Sequence, residues 1–257
     1  ISDTYIPFWK KFIKDENYST YTVKEEWKNS FDFILSFFSL EHTVNLEYTF
    51  KSIFELLKDN AYLYFIVPNV LDNIADLIVC DHVNHFSSSS IEHILKAVGF
   101  KNIEIDLVSH RGAMIVVAQK NSNNNIEKIT YNYSKNDISL LEEKVIKISN
   151  YWKNFSNEVL KFEEENKNSL SAIYGSGFYG SFISSLLKDF NKVQYFLDQS
   201  PFRQGKSLIG KKIISPYDLE ENINVIYIGL NPIHAKNEIE KVVSWKNRNN
   251  IYFYPNF

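Results

Sequence analysis

Between residues 31 and 120, short apolar runs alternate with segments whose apolar residues recur every three or four positions. "FDFILSF" (31–37) is apolar and aromatic between polar flanks, the pattern of a short buried strand. In "NLEYTFKSIFELLKD" (45–59), Leu46, Phe50, Ile53, Phe54 and Leu57 fall at helical spacing. "AYLYFIVP" (61–68) predicts a second buried strand, stopped by Pro68. "SIEHILKAVG" (90–99) predicts a helix with serine capping candidates at its start and Gly99 at its end. "NIEIDLV" and "GAMIVVAQ", separated by "SHRG", predict a hairpin. Alternation that closes on a hairpin is the back half of an open α/β sheet whose last strand is antiparallel.

The pattern then changes. "KNSNNN" (120–125) is polar and turn-rich and predicts a linker. From about Asn136 to Asn166, Ile138, Leu141, Val145, Ile148, Trp152, Phe155, Val159 and Phe162 make one helical stripe. Packing on a domain face and a homodimer seam are both open to this helix. Six of the eight glycines fall between Gly175 and Gly229, where strands "SAIY", "KVQYFLD", "NINVIYIGLN" and "NIYFYP" alternate with helices "SFISSLLKDF" and "PIHAKNEIEKVVSWKN". A compact parallel sheet of the mononucleotide-binding kind fits. The expected division is 1–120, a linker and connecting helix at 121–168, and a Rossmann-like α/β domain at 169–257.

Composition narrows the classes. The 257 residues are 44% hydrophobic with a net charge of -3, enough apolar mass for two cores. No basic block argues for nucleic acid, and no apolar run is long enough to span a membrane. One cysteine, Cys80, excludes a disulfide framework and a multi-thiolate metal site. No secretory signal pattern occurs, so the expected setting is cytoplasmic.

Chemistry concentrates in two places. "GSGFYG" matches G-x-G-x-x-G at Gly175, Gly177 and Gly180 between strand and helix, with Asp198 closing the next strand. Such a turn admits a phosphate to helix-start N–H groups, while the acid suits ribose hydroxyls. Equally, the glycines serve close strand-to-helix packing with no ligand. Arg203, in "DQSPFRQGK", stands where it could meet a phosphate. In the first half, Ser36, Glu41 and His42 follow one strand, Asn69 follows the next, and Asp81, His82 and His85 precede the serine-capped helix. Strand order places all of them at one crevice. A histidine there suits a general base, and a carboxylate beside it can fix its tautomer. Asp81, His82 and His85 match no strong zinc spacing, so no metal is expected.

"FDFILSFFSLEHT", "LLKDNAYLYFIVPNV" and "DHVNHFSSSSIEHILKAVGF", followed by a hairpin, resemble the later two-thirds of a class I S-adenosylmethionine-dependent methyltransferase. With the connecting helix and "DQSPFRQGKSLIGKKI", the arrangement resembles the sugar C-methyltransferases that act on nucleotide-linked deoxysugars. The resemblance implies S-adenosylmethionine lined by Ser36, Phe37 and Glu41, and base chemistry at His82 and Asp81 with His85 beside them. It implies a sugar or nucleotide-sugar substrate met by Asn69, Gly175, Gly177, Gly180, Asp198 and Arg203, on carbon or oxygen. Asp59-Asn60-Ala61 replaces the family's Pro-Gly-Gly, Val79 its tyrosine, and Asp81 its glutamate. No glycine precedes Gly99, although the family's cofactor loop is glycine-rich. The expectation is therefore an N-terminally truncated, inactive fragment, with "STYTVKEEW" as the family's third strand. The rival is a non-catalytic nucleotide- or sugar-nucleotide-binding scaffold; a nicotinamide oxidoreductase ranks last.

Overall fold

The computed structural model describes residues 3–20, 22–121, 135–242, 245, 248–255 and 257. Of the expected linker, residues 122–125 lie outside the described residues. The chain divides into two compact units, Ile1–Ile138 and Ser139–Phe257. The α/β class holds in both, and among the described residues no helix is long and apolar enough to cross a membrane.

The first unit begins with α1 (Ile6–Trp9), then β1 (Phe31–Phe37), α2 (Leu46–Leu56), β2 (Leu57–Pro68) and α3 (Ser88–Val98). The closing hairpin is β3 (Phe100–Asp106) and β4 (Ala113–Lys120), and the sheet order is β1-β2-β4-β3. β1 and β2 are parallel, as a helical crossover requires, and β4 is antiparallel to both β2 and β3. Phe50 and Ile53 of α2 and Ile91, Leu95 and Val98 of α3 bury against Leu63, Phe65 and Met114. Full burial of each such side chain contributes about 1.5–3 kcal/mol. The boundaries of α3 follow the sequence signals. Ser87 and Ser90 form a capping box, and Gly99 ends the helix at φ +113°, a left-handed conformation that glycine adopts without strain.

Three expectations change. β1 is not buried: Phe33, Leu35 and Phe37 are 50–56% exposed. It is an edge strand, and Ile34 is its side chain that packs on the core. β2 starts at Leu57, four residues early, because Leu57 already pairs with Phe31 across an irregular register. Asn60 accommodates the irregularity at φ +64°, a region asparagine tolerates. "STYTVKEEW" forms no strand among its described residues; local bonds such as Ser19 Oγ to Thr22 O and a 3-10 turn at Glu25–Trp27 take its polar groups.

The second unit contains most of α4 (Lys135–Glu165), then β5 (Ser171–Tyr174), α5 (Phe178–Leu186) and β6 (Val193–Leu197). β7 (Ser207–Leu208), β8 (Lys211–Ile214), β9 (Val225–Ile228), α6 (Pro232–Glu240) and β10 (Ile251–Phe253) follow. The order is β10-β9-β5-β6-β8-β7, parallel except for β7. Ile148, Trp152, Phe155 and Val159 of the α4 stripe are buried and Phe162 is half-buried; Phe155 meets Phe253 at 5.8 Å and Phe162 meets Tyr227 at 5.2 Å between ring centroids. Ile138 and Leu141 remain exposed. α6 ends at Glu240, short of the expected Asn247, and the chain tightens through Val242 N–H to Ile239 O. Between β8 and β9, Pro216–Asp218 forms one 3-10 turn.

Candidate functional site

Two loops cross the carboxyl ends of β1 and β2, where an open α/β sheet takes its ligands. Backbone bonds hold them together: the N–H groups of Val83 and Asn84 donate to Glu41 O at 2.9 and 3.0 Å. The Asn84 side-chain amide donates to Leu40 O at 3.1 Å and Thr43 O at 2.7 Å. That registry sets His42 edge-on to His82, with ring centroids 5.0 Å apart.

Asp76, fully buried on a 3-10 turn, organises the cluster. Its Oδ1 accepts from His82 Nδ1 at 2.8 Å and its Oδ2 from His85 Nδ1 at 2.6 Å. Both rings are thereby fixed with the proton on Nδ1 and the lone pair on Nε2. Asp81 does not do this work. Its side chain is exposed, and its backbone carbonyl accepts from His42 Nδ1 at 2.9 Å. The sequence reading missed Asp76, whose signal was an acid set in the otherwise apolar "IADLIV" six residues before His82.

Glu41 is buried, 1% exposed, with Oε1 3.9 Å from His42 Nε2 and no hydrogen-bond partner for Oε2. Burial holds its carboxyl above the ordinary value, against its own backbone amide and the nearby His42 and His82, which lower it; Asp76 adds to the rise. An ionised Glu41 therefore opposes folding. Below the ordinary carboxyl value both states are protonated and the cost vanishes; it grows as pH rises through the folded value. Glu41→Gln, which cannot ionise, should therefore raise stability at neutral pH relative to wild type. The gap to wild type should close as pH falls below the ordinary carboxyl range. Urea unfolding at neutral and acid pH checks both.

The remaining first-unit candidates are dispersed. Ser36 is half-buried and Phe37 exposed, followed by exposed Phe38 at φ +46°, whose ring meets His110 at 5.5 Å. Asn69 spends its side chain on its own loop: Oδ1 accepts from Leu71 N–H at 3.1 Å and Nδ2 donates to Asp72 at 2.8 Å.

In the second unit the glycine turn and Asp198 do converge, around an open cleft also lined by Arg203 and Asn231. Asp198 Oδ2 accepts from the Ser176 hydroxyl and from its N–H at 3.3 Å, and Arg203 Nη1 donates to Ser176 O at 2.7 Å. Gly177 caps α5, and a Cβ there would meet only Arg203 Nη1, at 3.9 Å.

Residues 6–105 match a family described as a methyltransferase domain. The match bears out the methyltransferase class for that segment, and S-adenosylmethionine, the cofactor expected from the sequence, accords with it. No curated protein sequence matches the chain. Among solved structures, the carbon methyltransferase CurJ is similar at 16% identity over 37% of this chain and 31% of that one, with a TM-score of 0.32. The carbon methyltransferase DszA is similar at 20% identity over 38% and 30%, TM-score 0.30. A Thermotoga maritima SAM-dependent methyltransferase, described as a possible histamine N-methyltransferase, is similar at 15% identity over 36% and 57%, TM-score 0.31. The chain thus spans less than two thirds of each of these proteins.

Proposed function

We propose that the first unit belongs to an enzyme that moves a methyl group from S-adenosylmethionine to a sugar, probed here as its nucleotide-linked form, and that the glycine turn of the second unit, taken by itself, suits a nucleotide. The Asp76–His82 pair carries this reading: a buried carboxylate fixes one imidazole with Nε2 free to take a proton. When bound, S-adenosylmethionine supplies an electrophilic methyl carbon on a sulfonium. His82 Nε2 accepts the proton that the acceptor atom gives up, and Asp76 stabilises the resulting imidazolium. Exposed Phe37 and Phe38 fit a cofactor as flat apolar surfaces, whereas Ser36, next to Phe37 on β1, alternates to the opposite face. Glu41, buried with Oε2 unpartnered, sits beside His42 in the same cluster. In the second unit, Arg203 and the Gly177 turn supply the positive charge and open backbone that a diphosphate needs.

The test uses S-adenosylmethionine labelled in its methyl group and a panel of nucleotide-linked deoxysugars. It is run on this chain. Label should appear in a sugar product. Nucleotide-sugar binding by calorimetry without label transfer would replace this reading with the scaffold one.

A further inference from the structure

We propose that Glu41, His42 and His82 bind one divalent transition-metal ion, with zinc the ion their donors suit. One ligand atom from each residue lies within 4.8 Å of the other two. The tautomers are set from outside. His42 donates from Nδ1 to Asp81 O at 2.9 Å, and His82 donates from Nδ1 to Asp76 at 2.8 Å. In each ring Nε2 is therefore the nitrogen left for a ligand, and that of His42 stands 3.9 Å from Glu41 Oε1.

The carboxylate makes the same point from its own side. Glu41 Oε2 is buried with no hydrogen-bond partner, and Oε1 faces His42 Nε2 at 3.9 Å. At 3.9 Å no hydrogen bond joins the two atoms, and an unpaired polar oxygen is costly in a buried environment. A cation among the three groups turns every one of these contacts attractive. Two neutral imidazoles and one carboxylate make a three-ligand zinc site with one position left open. Zinc distances of about 2.0–2.2 Å place tetrahedral ligand atoms roughly 3.4 Å apart. The site closes by about 1 Å on loading, within reach of the partly exposed His42 side chain. Asp76 then has the place of the outer carboxylate that orients a ligating histidine. Local spacing does not encode the set, because Glu41 and His82 are brought together by bonds between two loops far apart in sequence.

The inference goes beyond the methyl-transfer reading and stands without it. At any instant His82 Nε2 holds either a proton or the ion. With the ion bound, a hydroxyl in the open position becomes the group that releases its proton more readily.

The full chain, stripped with a chelator, would be titrated with Zn²⁺ by calorimetry, and its metal content counted after gel filtration. One ion per chain is expected, with a rise in unfolding temperature on loading. Asp76→Asn should weaken binding roughly 10–100-fold, the usual cost of losing an outer partner, and His42→Ala by more than that. Glu41→Gln should bind as poorly as His42→Ala while remaining folded. His234→Ala, on α6, should bind like wild type. Failure of the folded wild type to take up one ion would overturn the proposal. So would equal affinity in wild type, His42→Ala and Glu41→Gln.

Discussion

Replacing His82 by alanine should slow the proposed methyl transfer by about 10²–10⁴-fold, the usual contribution of a positioned acid–base group, with S-adenosylmethionine binding unchanged. The size follows from the arrangement. Asp76 is fully buried and its bond to Nδ1 presets the ring, so little reorganisation is left for the moment of proton transfer. His85 shares the same carboxylate, but its side chain is more open than that of His82, 34% against 12% exposed. His85→Ala should therefore cost less. It leaves Asp76 one partner and does not touch the His82 geometry directly. Turnover by stopped assay, with cofactor affinity by calorimetry, separates a chemical loss in kcat from a binding loss. Equal turnover in wild type and His82→Ala would remove His82 from the chemistry, and with it the role assigned to Asp76.

Asp76 also marks where the sequence stops being readable. His82 and His85 were visible because two histidines stand ahead of a capped helix. Their common partner lies in an apolar segment where an acid reads as a surface residue of a short turn. Whether such an acid points inward depends on how the loop folds over the strand ends, which no local pattern encodes. The ends of α3 were legible for the opposite reason: a capping box and a left-handed glycine are interactions between near neighbours. The same division runs through the strands. The β3–β4 hairpin was readable from alternation on both sides of "SHRG". The β7–β8 hairpin was not, because its turn puts Ile209 at φ +49° ahead of Gly210 at φ +75°. A β-branched residue is the last type expected at the first of two positive-φ positions. β1 misled through composition: Phe33, Leu35 and Phe37 read as core, yet burial is decided by what covers a sheet edge, not by the strand itself.

Gly180→Ala should destabilise the second unit by the upper end of the about 1–3 kcal/mol typical of overpacking, or more. A Cβ at Gly180 would lie 1.9 Å from Gly175 O, and one at Gly229 would lie 2.5 Å from Gly180 Cα. One at Gly175 would lie 2.2 Å from Gly229 O. All three obstacles are backbone atoms at the junction of β5, β9 and α5, so no rotamer change relieves them. Room for a methyl group would have to come from moving α5 off two adjacent central strands. Gly177 behaves differently: its φ is -103°, which other residues adopt freely, and a Cβ there meets only the Arg203 side chain. Gly177→Ala should therefore fold like wild type in urea titrations, whereas Gly180→Ala should shift the midpoint strongly downward. The first and third glycines of the motif are then explained by packing alone, and Gly177 is the one left for a ligand. If Gly177→Ala keeps wild-type stability but weakens nucleotide-sugar binding, the turn does both jobs. A Gly180→Ala protein as stable as wild type would mean that α5 can ride away from the sheet, and the close-packing account would fail.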